Sequence, residues 1–248
     1  MTSPSEPRDT WEPAGPPRPE QPPPEPPPRE PWPPVCATVL VGSVAVFVLD
    51  VLLSGDLLRG ELNAIVFGAR GPLYLWTALY GPFVQVDQLW RVLTTVFMHG
   101  GLIHLGFNMS VVYSLGMPLE RSIRSGRFLM LSLVTALGSS TFALLFNFDV
   151  PTVGASGMIL GWGGAMLLIA TREFRSNLVF WLAQVALISL LPGVSWAGHL
   201  GGFLFGLPMG LALRSGAAVY ARAAPLLLAI AAAVVYIAAH PERFRGIP

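Results

Sequence analysis

The sequence contains no lysine, a single cysteine and few charges, and each shortage excludes something. Only 12% of the 248 residues are charged, against about 25% in an average soluble domain, which argues against a water-soluble globule. All fifteen basic residues are arginine and the formal net charge is +1, so the charge gives no reason to expect nucleic acid as a partner. Cys36 stands alone, which excludes an internal disulfide framework; it reads as a small apolar residue in a helix. No H-E-x-x-H pattern occurs, so a zincin site is not encoded. His99, His104 and His199 would be the alternative metal ligands, but no carboxylate accompanies them as a catalytic metal site normally requires. No metal and no cofactor is expected.

What the chain does have is proline at one end and long apolar runs after it. Residues 1–34 hold fifteen of the 24 prolines and almost nothing apolar except Trp11 and Trp32. Such a segment buries too little to offset its ordering entropy, so it reads as a disordered, partly polyproline II tail. The alternative is a docking tail for a proline-reading domain. The first apolar run, Val35–Leu53, has no charge before Asp50 and nearly crosses a hydrocarbon core of about 30 Å. No short basic region precedes it closely, so it reads as a membrane span and not as a secretory signal. Residues 54–101 mix Gly, Pro, charges and the aromatics Tyr74, Trp76, Tyr80, Phe83 and Trp90, a composition that suits the membrane–water interface.

Five further apolar runs follow at roughly 102–119, 127–148, 156–170, 177–192 and 198–213, and a seventh at 224–239. The expected class is an all-α polytopic membrane protein: a six-span core over 35–213 and a seventh span with its tail over 214–248. Arginines gather in alternate loops: Arg121, Arg124 and Arg127, then Arg172 and Arg175, then Arg214 and Arg222. The loops 149–155 and 193–197 have none. The positive-inside rule places the N-terminus in the cytoplasm and the C-terminus outside. The fourth run is short. From Ser156 to Arg172 it spans only about 22 Å of helix, so Ser156 should begin below the membrane surface. The chain 147–155 must then enter the bilayer as non-helical backbone, which is tolerated only around protein or a water-filled cavity. Length alone therefore predicts a submerged, wet pocket at Ser156.

Polar groups within spans default to functional hypotheses. Here they are His104, Asn108, Ser156, Gln184 and His199, and all but one lie near the same end of their helices. Ser156 stands in Gly154-Ala155-Ser156-Gly157 at a loop-to-helix junction, where unpaired backbone N–H groups can hold a developing oxyanion. Alone, the tetrapeptide would be read as a helix-capping serine. His199 lies on one helical face with Gly202 and Gly206, and Gly157, Gly161 and Gly164 form a matching stripe. Small residues at this spacing let helices approach closely, so pairing the stripes would bring His199 beside Ser156. The bland alternative is glycine packing around a hydrogen-bonded histidine. His104 and Asn108, four apart, share a face and could donate to an oxyanion; otherwise they are polar links between helices. No carboxylate lies near these positions in sequence, so a nucleophile–base set would be a Ser–His dyad.

In these motifs the chain resembles the rhomboid intramembrane serine proteases. Trp90-Arg91, His99, His104-x-x-x-Asn108, Glu120, Gly154-x-Ser156-Gly157 and His199-x-x-Gly202-x-x-x-Gly206 resemble the family's signatures in order and spacing, over about residues 88–213. The seventh span resembles its six-plus-one arrangement. The resemblance implies a serine endopeptidase in the bilayer with Ser156 as nucleophile and His199 as base. It also implies an oxyanion hole from the Ser156 N–H, His104 and Asn108, with Ala155 supplying a second N–H. Phe107 and Trp181 resemble the aromatic positions at a lateral gate between the second and fifth spans, and 191–197 resembles a cap loop. Implied partners are the bilayer and transmembrane protein substrates. The Arg-only usage and the absence of a targeting peptide, and not the resemblance, suggest a bacterial plasma membrane. The chain departs from the family pattern at Leu160, where an aromatic under the histidine is usual, at Gly198, where alanine is usual, and at Arg124, where glycine is common. Leu160 keeps a second reading open, a weak or inactive relative that binds transmembrane segments. A transporter would spread its polar groups through the membrane depth, whereas these cluster at one level.

Overall fold

The computed structural model describes residues 31–68 and 71–244. The proline-rich segment expected to be disordered falls outside these residues except for its last four. From Trp32 onward the chain forms one compact unit. The first helix, α1 (Pro34–Ser54), starts on a proline and stops at Gly55, whose φ of 75° ends it in the left-handed conformation. Five short helices then build the long loop: α2 (Asp56–Arg59), α3 (Leu62–Phe67), α4 (Pro72–Thr77), α5 (Gly81–Gln85) and α6 (Arg91–Thr94). The next span begins as α7 (Leu102–Val111), passes through a π-helical turn at Val112–Gly116 and ends as α8 (Met117–Ile123). Helices α9 (Ser125–Phe146), α10 (Ser156–Ile169), α11 (Arg172–Ile188), α12 (Trp196–Arg214) and α13 (Ala217–Ala239) follow, with a last turn, α14 (Pro241–Phe244).

Five of these segments are long and apolar enough to cross a membrane: α1, α7 through α8, α9, α12 and α13. The two that fall short are α10, at 14 residues or about 21 Å, and α11, at 17. Helix starts differ from the sequence expectation: α13, expected from 224, begins at Ala217, and α11 and α12 also begin early. The fifth helix was expected at 177–192 but runs from Arg172 to Ile188. Thr171 caps it by accepting the Phe174 N–H, and Glu173 sits in its first turn, where a carboxylate favours the helix dipole. An apolarity count misses such a polar opening turn. Likewise α12 starts at Trp196 instead of 198, because Ser195 accepts the Gly198 N–H as its cap. His199 therefore lies inside the first turn.

Helix α10 is the centre of the bundle. Nine of its residues are buried, among them Trp162 at 0% exposure. It packs most closely on α12, and α9 supports both. The contact is backbone on backbone. A Cβ added at Gly161 would meet the Gly202 carbonyl at 2.7 Å, and one at Gly202 would collide with the Gly157 carbonyl oxygen. No side chain larger than hydrogen fits there, so the two glycine stripes pair as their spacing predicts. Helix α13 packs on α9 and α12, and the Tyr220 hydroxyl donates to the Arg127 carbonyl at 2.7 Å.

Two buried carboxylates fix the first span to the rest. Glu120 accepts the Val35 and Cys36 N–H groups at 3.0 and 2.8 Å. It satisfies donors that the opening turn of α1 leaves unpaired and adds charge of the favourable sign at that helix end. Asp50, at the other end of α1, accepts the N–H groups of Gly71, Leu73 and Tyr74 and so anchors α4. Within the loop, buried Arg91 donates to the carbonyls of Leu75 and Ala78 at 2.7 and 2.8 Å. Its guanidinium stacks over Phe83.

Candidate active site

The approach to Ser156 is irregular backbone whose hydrogen bonds are satisfied by the long loop. Leu79 and Thr152 exchange both N–H···O bonds at 2.9 and 2.8 Å. The Thr95 hydroxyl donates to the Thr152 carbonyl at 2.7 Å, and the Gly154 N–H donates to the Thr95 carbonyl at 2.9 Å. The loop thus lets the chain enter the bundle without being helical, as a short α10 requires. Gly154 has a φ of +119°, a conformation that favours glycine. A Cβ there would also lie 2.7 Å from the His104 ring.

Ser156 then opens α10, with Ala155 as the cap residue. Its Oγ is 2.7 Å from His199 Nε2, so α12 carries the imidazole to within hydrogen-bonding distance of the serine 43 residues earlier. His199 is buried at 9% exposure. Its other ring nitrogen, Nδ1, is 2.6 Å from the Ser189 hydroxyl. Among the described residues no carboxylate hydrogen-bonds to His199.

His104 and Asn108 reach the same place from α7. Both face Gly154, with Asn108 Nδ2 at 3.8 Å from the position of an added Cβ. His104 Nδ1 accepts the Gly100 N–H at 3.4 Å. A neutral ring therefore carries its proton on Nε2, the edge turned toward Gly154. Asn108 Nδ2 donates one hydrogen to the His104 carbonyl at 3.0 Å and keeps the other. His99 packs its ring on His104 with centroids 5.1 Å apart. It lies just ahead of the span, fully buried. Burial, reinforced by the neighbouring His104, pushes its pKa down to about 3, so the ring is neutral.

The two expected gate aromatics stand on α7 and α11. Trp181 on α11 packs against Gly163 and lines a cavity of about 220 Å³ with Val111, Ser114, Leu115, Asn177 and Leu178. Phe107 stands on the exposed face of α7, 72% exposed, and does not line that cavity. Among the described residues no group of three His, Cys, Asp or Glu could hold a metal ion.

A family model for the Rhomboid domain matches residues 86–216, just over half of the chain. The chain belongs to the rhomboid family. It is 31% identical to RHOMBOID-like protein 4 of Arabidopsis thaliana over 200 residues, 70% of this chain and 51% of that protein. It is 31% identical to rhomboid protease GluP of Bacillus subtilis over 169 residues, 63% of this chain and 33% of that protein. Rhomboid-like protease 3 of Toxoplasma gondii is 23% identical over 189 residues, 72% of this chain and 68% of that protein. The chain thus spans about half of the first relative and a third of the second. These relatives come from a plant, a bacterium and a protozoan, so they do not single out the bacterial origin that composition suggested. The rhomboid fold and the apolar helices make this an integral membrane protein of an intramembrane protease family.

One polar contact in the site escaped sequence reasoning. Ser189 looks like an ordinary helix-end serine in the sequence. Its only signal was a hydroxyl near the end of the fifth run that leads into the residues just before His199.

Proposed function

We propose that this rhomboid is an active intramembrane serine endopeptidase that cleaves transmembrane segments of other membrane proteins through a Ser156–His199 dyad. The observation that carries this reading is the 2.7 Å contact between Ser156 Oγ and His199 Nε2, set beside a ring of donors at the buried start of α10. Ser156 Oγ attacks the scissile carbonyl as His199 Nε2 takes its proton. The carbonyl oxygen becomes an oxyanion, held by the Ser156 and Ala155 N–H groups, His104 Nε2–H and the free Asn108 Nδ2–H. The intermediate collapses, the C–N bond breaks, and His199 returns the proton to the leaving amine. A water molecule, deprotonated by His199, then hydrolyses the acyl-enzyme. General base action is worth about 10²–10⁴ in rate, and each oxyanion donor about 10²–10³.

Substrate enters sideways between α7 and α11, with Phe107 at the lipid face and Trp181 behind it, and residues 191–197 act as the cap. With seven spans, the distribution of arginine supports a cytoplasmic N-terminus and an outside C-terminus, and the bacterial plasma membrane fits the composition. The proline content of residues 1–34 suits a proline-reading partner. A second reading, an inactive binder of transmembrane segments, is favoured by Leu160 alone.

The test is labelling of the detergent-purified chain with a fluorescent fluorophosphonate. Wild type labels, Ser156→Ala and His199→Ala do not, and chelator has no effect. Absence of labelling in a folded, monodisperse sample would overturn the protease reading in favour of the binder.

A further inference from the structure

His199 presents a problem of orientation. An imidazole serves as base only if the nitrogen facing the nucleophile has a free lone pair, which puts the ring proton on the other nitrogen. Here Nε2 faces Ser156, so the proton must sit on Nδ1. No carboxylate bonds to Nδ1 among the described residues, and the residue one turn beyond Ser156 is Leu160, which offers no ring to stack on.

The group at Nδ1 is Ser189. Its Oγ is 2.6 Å from His199 Nδ1 and also 2.6 Å from the Val185 carbonyl oxygen. A hydroxyl has one proton, and a carbonyl can only accept. The Ser189 proton therefore goes to Val185, and what Ser189 turns to His199 is a lone pair. A lone pair at 2.6 Å demands an N–H on Nδ1. The back-bond to the fourth preceding carbonyl is common for a helix serine. Here it fixes the polarity of a hydrogen-bonded chain that runs from Nδ1–H through Ser189 to the Val185 carbonyl. Ser189 is 6% exposed, so little water competes for the contact.

We propose that Ser189 is the positioning residue of this site: it selects the Nδ1–H tautomer of His199 and so frees Nε2 to take the Ser156 proton. This rests on the Ser–His reading of the site. The same contact opposes the positive charge that forms on the ring, since the Ser189 oxygen accepts from the imidazolium Nδ1–H and no proton leaves Nδ1. The base is thereby held by the C-terminal cap residue of α11, a helix other than the one that carries it.

The experiment uses the full chain in detergent, labelled with 15N-histidine, and assigns His199 by its loss in His199→Gln. The expected wild-type spectrum has a protonated Nδ1 and a bare Nε2. Ser189→Ala moves His199 toward the Nε2–H form. It also lowers the maximal rate of fluorophosphonate labelling about tenfold or more, the loss expected for one orienting hydrogen bond. The concentration giving half-maximal rate stays unchanged. Ser189→Thr, which keeps the hydroxyl, restores both. A wild-type His199 protonated on Nε2, or a Ser189→Ala chain with unaltered tautomer and labelling, overturns the proposal. The wild-type spectrum decides even where Ser189→Ala fails to fold. It is independent of activity, so an unlabelled wild type would overturn the protease reading and leave this test standing.

Discussion

Gly202→Ala should impair catalysis and stability together, without touching a reacting atom. The added methyl would be driven into the Gly157 carbonyl oxygen, which is backbone and cannot rotate away. Ordinary contact begins near 3.4 Å, so α10 and α12 must part by more than about 1 Å, and overpacking of this kind costs about 1–3 kcal/mol. Gly157 adjoins Ser156, and Gly202 lies one turn past His199, so the movement falls on the dyad itself. A 2.7 Å contact lengthened by that much leaves the range of about 2.6–3.2 Å in which a base takes a proton. Misplacement by about 1 Å can cost about 10²-fold in rate. The assay pairs the fluorophosphonate labelling rate with thermal unfolding in the same detergent. The control is Gly126→Ala in α9, where an added Cβ meets nothing within 4 Å and both readouts should stay near wild type. If Gly202→Ala labels at the wild-type rate with an unshifted midpoint, the close approach of these helices does not set the geometry of the site.

Three other perturbations read out the framework. Glu120→Gln exchanges a carboxylate for an amide that can accept only one of the two α1 N–H groups, and should lower stability by about 1–3 kcal/mol, measured as a fall in unfolding midpoint. Arg124→Gly should act in the opposite sense. Arg124 holds φ +73° and ψ 146° between α8 and α9, a conformation costing about 1–3 kcal/mol for a residue with a side chain, so glycine should raise the midpoint. His99 makes the fold acid-sensitive. Its pKa of about 3 lies below the 6.5 of an unperturbed histidine, so below pH 6.5 the unfolded chain takes up a proton that the native one refuses. Stability should fall with pH by up to about 1.4 kcal/mol per unit between these values, and His99→Gln should flatten that slope in a titration of thermal midpoints.

The relative weight of sequence and structure is clearest at Ser156 and His199. Ser156, His199 and the glycines at i+3, i+4 and i+7 are periodic features of single helices, and a helix converts such spacing into a face whatever its surroundings. The same holds for the membrane class, for His104 with Asn108, and for the shortness of α10, which follows from a count of residues between a serine and an arginine. Arg124 was legible as a departure, and its positive φ explains why glycine is common at that place.

What only the tertiary structure decided were the contacts between elements that share no pattern. The Leu79–Thr152 pairing and the Gly154–Thr95 bond join segments more than fifty residues apart, and backbone groups leave no trace in side-chain chemistry. The start of α11 depends on a polar cap that hydropathy does not register. The orientation of His199 comes from Ser189, ten residues earlier on another helix. Its hydroxyl matters because the Val185 carbonyl has claimed its only proton. Sequence determined which polar groups share one depth of the membrane; the fold decided what stands at His199 Nδ1, because that depends on a neighbour across a helix interface.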